Sequence, residues 1–91
     1  MSQLNAQQRE QVRLSILRYL DGAAPHGISV GLLLQFLRNE GLRLLTKESL
    51  EAELLYLADK RLADVVNKQI SPENPTWRIT ATGRDLVAQG A

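Results

Sequence analysis

Apolar positions in the stretch from Thr46 to Val87, TKESLEAELLYLADKRLADVVNKQISPENPTWRITATGRDLV, recur first at helical spacing and then two apart. Leu50, Leu54, Leu57 and Ala58 fall on one stripe of a helix that Thr46 can cap, with Lys47 and Glu48 in its first turn. From Leu62 the pattern changes to the β-branched pair Val65 and Val66, then to polar residues and to Ser71-Pro72-Glu73-Asn74-Pro75, where Pro72 suits the second position of a type I turn. Trp77 and Ile79 flank Arg78, so a returning strand turns both apolar side chains to one face and the arginine to the other. Thr80 or Thr82 can cap a short last helix; Thr82 and Asp85 have the spacing of a capping box, and Gly90 stands where the helix should stop. Gly83 lets that helix lie close to the hairpin.

The first half of the chain completes the core. Asn5 can cap a helix with Gln8 reaching back to it, and Val12, Ile16, Leu17 and Leu20 form the buried stripe of a helix running from Asn5 to Asp21, ended by Gly22. Ala-Ala-Pro-His-Gly allows no regular element. Ile28 and Ser29 can add a short strand to the hairpin, after which Ser29 caps a second helix from Val30 to Glu40, stopped by Gly41. The inward stripe of this helix is Val30, Leu33, Leu34 and Leu37. Leu32 and Phe36 fall toward its opposite side, more apolar surface than one core contact requires. Gly41 to Leu45 is a short turn carrying Arg43, so the second and third helices form a helix-turn-helix.

Ninety-one residues make one domain, with a core spanning about residues 5–90. Aromatics are 4% of the chain, so the core is built from aliphatic side chains, which favours helices over a sandwich; the expected class is α+β, mostly α. With no cysteine there is neither a disulfide framework nor a thiolate metal site, as expected in a reducing cytoplasm. No apolar leader follows Met1 and no apolar run reaches spanning length, so neither export nor membrane insertion is expected. The formal charge is only +1, so attraction to nucleic acid would have to come from local clustering.

The order helix, short strand, helix, helix, hairpin, helix is the plan of the winged helix. TKESLEAELLYLADKRLADVV and WRITATGRDLV resemble the third-helix and wing-to-last-helix segments of the winged-helix proteins grouped with the ArsR, MarR and PadR regulators. The whole chain, with AQQREQVRLSILRYLDGA and GISVGLLLQFL, is similar to small stand-alone winged-helix proteins of Mu-like phages and prophages. The resemblance covers most of the chain from Asn5 onward. It implies the fold, a phage setting in a bacterial cytoplasm and no mechanism, because winged helices serve as DNA readers, dimerisation modules and protein adaptors alike.

If the chain follows the DNA readers of that superfamily, its third helix enters the major groove of double-stranded DNA and the wing touches backbone or minor groove. The cations for this are Arg43 in the turn, Lys47 at the helix start, Lys68 and Arg78 in the hairpin and Arg84 in the last helix. About four or five phosphate contacts give a salt slope near −4, hence modest affinity. Against it, the face opposite the buried stripe of the third helix carries Glu48, Ala52, Leu55 and Asp59, flanked by Glu51 and Tyr56, which is acidic and partly apolar. That face, with Leu55 exposed and Leu32 and Phe36 on the second helix, points instead to a protein interface, with a phage or host partner or a second copy in a homodimer. A homodimer would also link two weak electrostatic footprints. The balance of these features narrowly favours DNA binding in transcription control or phage DNA handling. The alternative is an interaction or dimerisation module that does not touch DNA.

The remaining features have plainer readings. Arg9, Arg13, Arg18 and Arg38 belong to solvated helix faces. Trp77 shares a face with Ile79 and belongs to the core. His26, the one histidine, sits in a Pro-Gly loop without a carboxylate partner nearby in sequence and is a surface residue. Glu48, Glu51 and Glu53 are close along the third helix, but Glu53 points to another side from Glu48, so a solvated face explains them better than an acid–base pair. No nucleophile with an oriented base, no metal-ligand set and no phosphate loop can be assembled, so neither catalysis nor a cofactor is expected.

Overall fold

The computed structural model describes residues 4–66 and 72–90. The first helix, α1 (Ala6–Ala23), starts with the reciprocal cap that the sequence predicts: the Asn5 side chain accepts from the Gln8 N–H at 2.8 Å, and the Gln8 side chain accepts from the Asn5 N–H at 3.0 Å. It runs two residues past the expected end, with Gly22 still helical. Pro25 sets the stop instead, because the residue before a proline is pushed out of the helical region, and Ala24 is extended at φ −58°, ψ 144°.

Strand β1 (Ile28–Ser29) and helix α2 (Val30–Glu40) have the expected bounds, and the Ser29 hydroxyl accepts from Leu32 N–H. Gly41 closes α2 at φ 134°, a conformation that favours glycine. Helix α3 (Lys47–Asp59) is capped by Thr46, whose hydroxyl accepts from Ser49 N–H at 3.1 Å. Its last residue leads through Lys60 into Arg61, which is left-handed at φ 61°. Arg61 N–H donates to the Ala58 carbonyl and Leu62 N–H to the Leu57 carbonyl, both at 2.9 Å, the double closure of a Schellman turn.

The chain then forms β2 (Ala63–Val65), β3 (Thr76–Ile79) and α4 (Ala81–Ala88). The sheet is antiparallel in the order β1-β3-β2, with Ile28 opposite Trp77 and Ala63, Asp64 and Val65 opposite Ile79, Arg78 and Trp77. As the two-residue spacing predicts, Trp77 and Ile79 are buried and Arg78 faces out. Thr80, not Thr82, caps α4. Its hydroxyl accepts from Gly83 N–H at 3.0 Å and donates to the Arg61 carbonyl at 2.7 Å, so the helix begins at Ala81 and no Thr82–Asp85 box forms. Gly83 is required by packing, since a Cβ there would collide with the Leu62 carbonyl and the Ile79 side chain.

The core between the helices and the inner face of the sheet is aliphatic, with Leu17, Leu20, Leu33, Leu37, Leu50, Leu54 and Leu57 all fully covered or nearly so. Each such leucine contributes roughly 1.5–3 kcal/mol of burial. The described residues thus form a small, mostly helical α+β fold with four helices and a three-stranded antiparallel sheet. No helix among them is long and apolar enough to cross a membrane.

Candidate interaction face

α3 turns Ser49, Leu50, Glu53, Leu54 and Leu57 inward, which leaves Glu48, Ala52, Leu55 and Asp59 outward at steps of three or four residues. Leu55, in the middle of that stripe, is 60% exposed. Beside it an open groove of about 580 Å³ runs between α3 and the β2–β3 pair. Its apolar lining comes from Leu55 and Ala58 of α3, Val65 and Trp77 of the sheet, and Pro72 and Pro75. Glu51, Asp64 and Arg78 stand at its rim.

The wall formed by residues 72–75 is held from below by the helix starts. Asn74 Oδ1 accepts from Gly31 N–H at 2.8 Å, the Pro75 carbonyl accepts from Val30 N–H at 3.0 Å, and Lys47 Nζ donates to the Glu73 carbonyl at 2.5 Å. The N-terminal turn of α2 has unpaired N–H groups, and the loop supplies their acceptors. Asn74 is legible in the sequence only as a turn residue; this contact lies 43 residues away along the chain.

The cations expected to meet DNA do not gather in one place. Arg43 is exposed in the turn between α2 and α3. Lys47 sits at the start of α3 with its ammonium on the Glu73 carbonyl. Arg78 projects from the outer face of the sheet with Asp64 as its cross-strand neighbour. Arg84 lies on the α1–α4 side, where its guanidinium is 3.4 Å from the Asp21 carboxylate. Lys68 lies outside the described residues.

Three of the four arginines read as solvated make side-chain contacts, two of them with Glu53. Glu53 is buried to 0% exposure on the α1 side of α3, where it accepts from Arg9 Nε at 3.0 Å and Arg13 Nε at 2.6 Å. The Arg13 guanidinium also lies 3.6 Å from the centre of the Tyr56 ring, and Lys60 Nζ stands 5.7 Å from the same ring. Glu53 is therefore an internal ion-pair acceptor and no part of a solvated face. Arg38 donates to the Leu45 carbonyl at 2.9 Å but is exposed, as expected, and so is Arg18.

On α2, Phe36 is half-buried against Tyr19 of α1, with ring centres 5.2 Å apart. Leu32 remains 44% exposed, so of the two side chains read as a second contact only Leu32 stays open. Tyr19 and Ser15 donate to the Glu40 carboxylate at 2.6 and 2.9 Å. The hydrogen bond to Glu40, assisted by desolvation and by the carboxylate charge, raises the Tyr19 phenol above its usual value. His26 is exposed in its loop, and Trp77 lies in the core while also lining the groove.

Comparison with protein-family models, with curated proteins and with solved structures returned no match to this chain.

Proposed function

We propose that the chain is a non-enzymatic adaptor of winged-helix type, with α3 and the β2–β3 pair forming the docking face for a protein partner. The element order, the placement of β1 beside β3, and the turn joining α2 to α3 support the winged-helix layout. The observation that carries the docking reading is Leu55, exposed at the centre of an acid-flanked helix face and opening on an apolar groove. Exposed apolar surface with a polar rim is the usual form of a protein contact. The resemblance to phage proteins noted in the sequence supports a phage or host protein as that partner.

Binding of double-stranded DNA is the second reading, and Arg43 in the turn before α3 and Lys47 in its first turn favour it. Weighing against it are the carboxylates of Glu48, Glu51 and Asp59 on the helix that would enter the groove, and the engagement of Arg84 by Asp21. A mobility shift with mixed-sequence duplex at low and physiological salt separates the two. The adaptor gives no retained complex at physiological salt. A complex that survives there, weakens in Arg43→Ala, Lys47→Ala or the Lys68→Ala, Arg78→Ala pair, and loses about 1 from its salt slope per lost phosphate contact would return the face to DNA.

A further inference from the structure

Resting on the docking reading, we infer that the groove between α3 and the β2–β3 pair accepts a segment of another protein whose apolar centre is flanked by lysines or arginines. Three observations select this occupant. The groove is preformed, because the contacts of Asn74, Pro75 and Glu73 with Gly31, Val30 and Lys47 fix its far wall. Its lining is mainly apolar, with Glu51, Asp64 and Arg78 the charged members, which calls for an apolar anchor beside Leu55 and Val65.

The third observation is charge. Glu48 and Glu51 lie at one end of the exposed face of α3, Asp59 at the other and Asp64 on the strand, and no salt bridge among the described residues engages any of them. Arg78, cross-strand from Asp64, also lines the groove and offsets part of that acid, whereas the cations beside the α3 face have other contacts. Lys47 is on the Glu73 carbonyl, Arg13 is on Glu53 and the Tyr56 ring, and Lys60 is over that ring.

This distribution decides between occupants. A second copy packed antiparallel on α3, with Ala52 of each copy against Leu55 of the other, sets Glu48 of each beside Asp59 of the other. A parallel pair sets every carboxylate on its own equivalent. Like charges placed opposite one another disfavour both arrangements, and a phosphate backbone meets the same repulsion. A cationic segment meets attraction at both ends of the face and an apolar seat between them.

The test is selection of random linear peptides displayed on phage against the intact protein. Enriched peptides are then titrated by fluorescence anisotropy against wild type, Leu55→Ser and the Glu48→Lys, Glu51→Lys pair, none of which lies in the buried core. Their contact sites are mapped by amide shift changes. The expected result is enrichment of apolar residues bracketed by lysine or arginine, shift changes on α3 and β2, and about tenfold weaker binding to each variant. Uncharged or acidic peptides that still need Leu55 would overturn the cationic occupant and leave the docking face standing. Absence of enriched peptides, or peptides indifferent to Leu55→Ser that map elsewhere, overturns both.

Discussion

Glu53 is the side chain whose chemistry departs furthest from its apparent setting. A carboxylate on the core side of a helix is costly to bury unless its oxygens are satisfied, and here Arg9 and Arg13 of α1 each donate to one of them. The arginines keep side-chain exposures of 44% and 21%, so they snorkel to solvent while holding the buried acid. The contact ties α1 to α3 and fixes how the outer face of α3 is turned. Breaking a buried pair costs about 3–5 kcal/mol, and the partial exposure of both arginines lowers the expected loss for Glu53→Ala to about 2–3 kcal/mol. Glu53→Gln retains an acceptor and should lose less, and Arg9→Ala less again because Arg13 remains. Urea denaturation of the three variants gives the order, and a Glu53→Ala protein as stable as wild type would show that the arginines lend nothing to the packing of α1 on α3.

At the end of α3, Arg61 takes a conformation that costs a side-chain-bearing residue about 1–2 kcal/mol, and it does so to close the helix and launch β2. Arg61→Gly removes that strain while adding freedom to the unfolded chain, and the balance should stabilise the protein by roughly 0.5–1 kcal/mol. A raised thermal midpoint checks it; a lowered one would mean that the arginine side chain makes contacts that outweigh its backbone. The contrast with the other element ends explains what a linear reading can reach. Asn5 with Gln8, Ser29, Gly41 and Thr46 act within three or four residues of themselves, and Trp77 and Ile79 declare a strand by spacing alone, so those boundaries and the sheet's inner face are legible. Arg61 has no such signature, since any residue can be forced left-handed by what precedes and follows it. The burial of Glu53 depends on arginines 40 and 44 positions away, and the wall of the groove on contacts 43 and 26 positions apart. The outward acids and Leu55 of α3 are read from helical spacing, but the groove beside them exists only once β2, β3 and the proline loop have folded against the helix.

Taken as one body, the protein carries almost no net charge, so its associations are decided by where charges sit. Acid at both ends of the outer face of α3 makes that face poorly matched to itself, and the chain should sediment as a monomer. The same geometry predicts how to change this. Glu48→Lys sets a lysine beside Asp59 of a second copy at both ends of the antiparallel pairing, converting two repulsions into two attractions around the apolar Ala52–Leu55 centre. Surface ion pairs contribute about 0.2–1 kcal/mol each, so replacing both repulsions should tighten self-association by about tenfold, an effect that high salt removes. Sedimentation equilibrium over a range of concentrations should then show the variant's mass rising where that of wild type stays at one chain. If the wild type is already a dimer, the site of mutation that dissolves it is decisive: loss with Leu32→Asp places the contact on α2 and leaves the α3 face free for a foreign segment, whereas loss with Leu55→Asp means that carboxylates on α3 do not keep two copies apart, and the choice of a cationic occupant on grounds of charge fails with it.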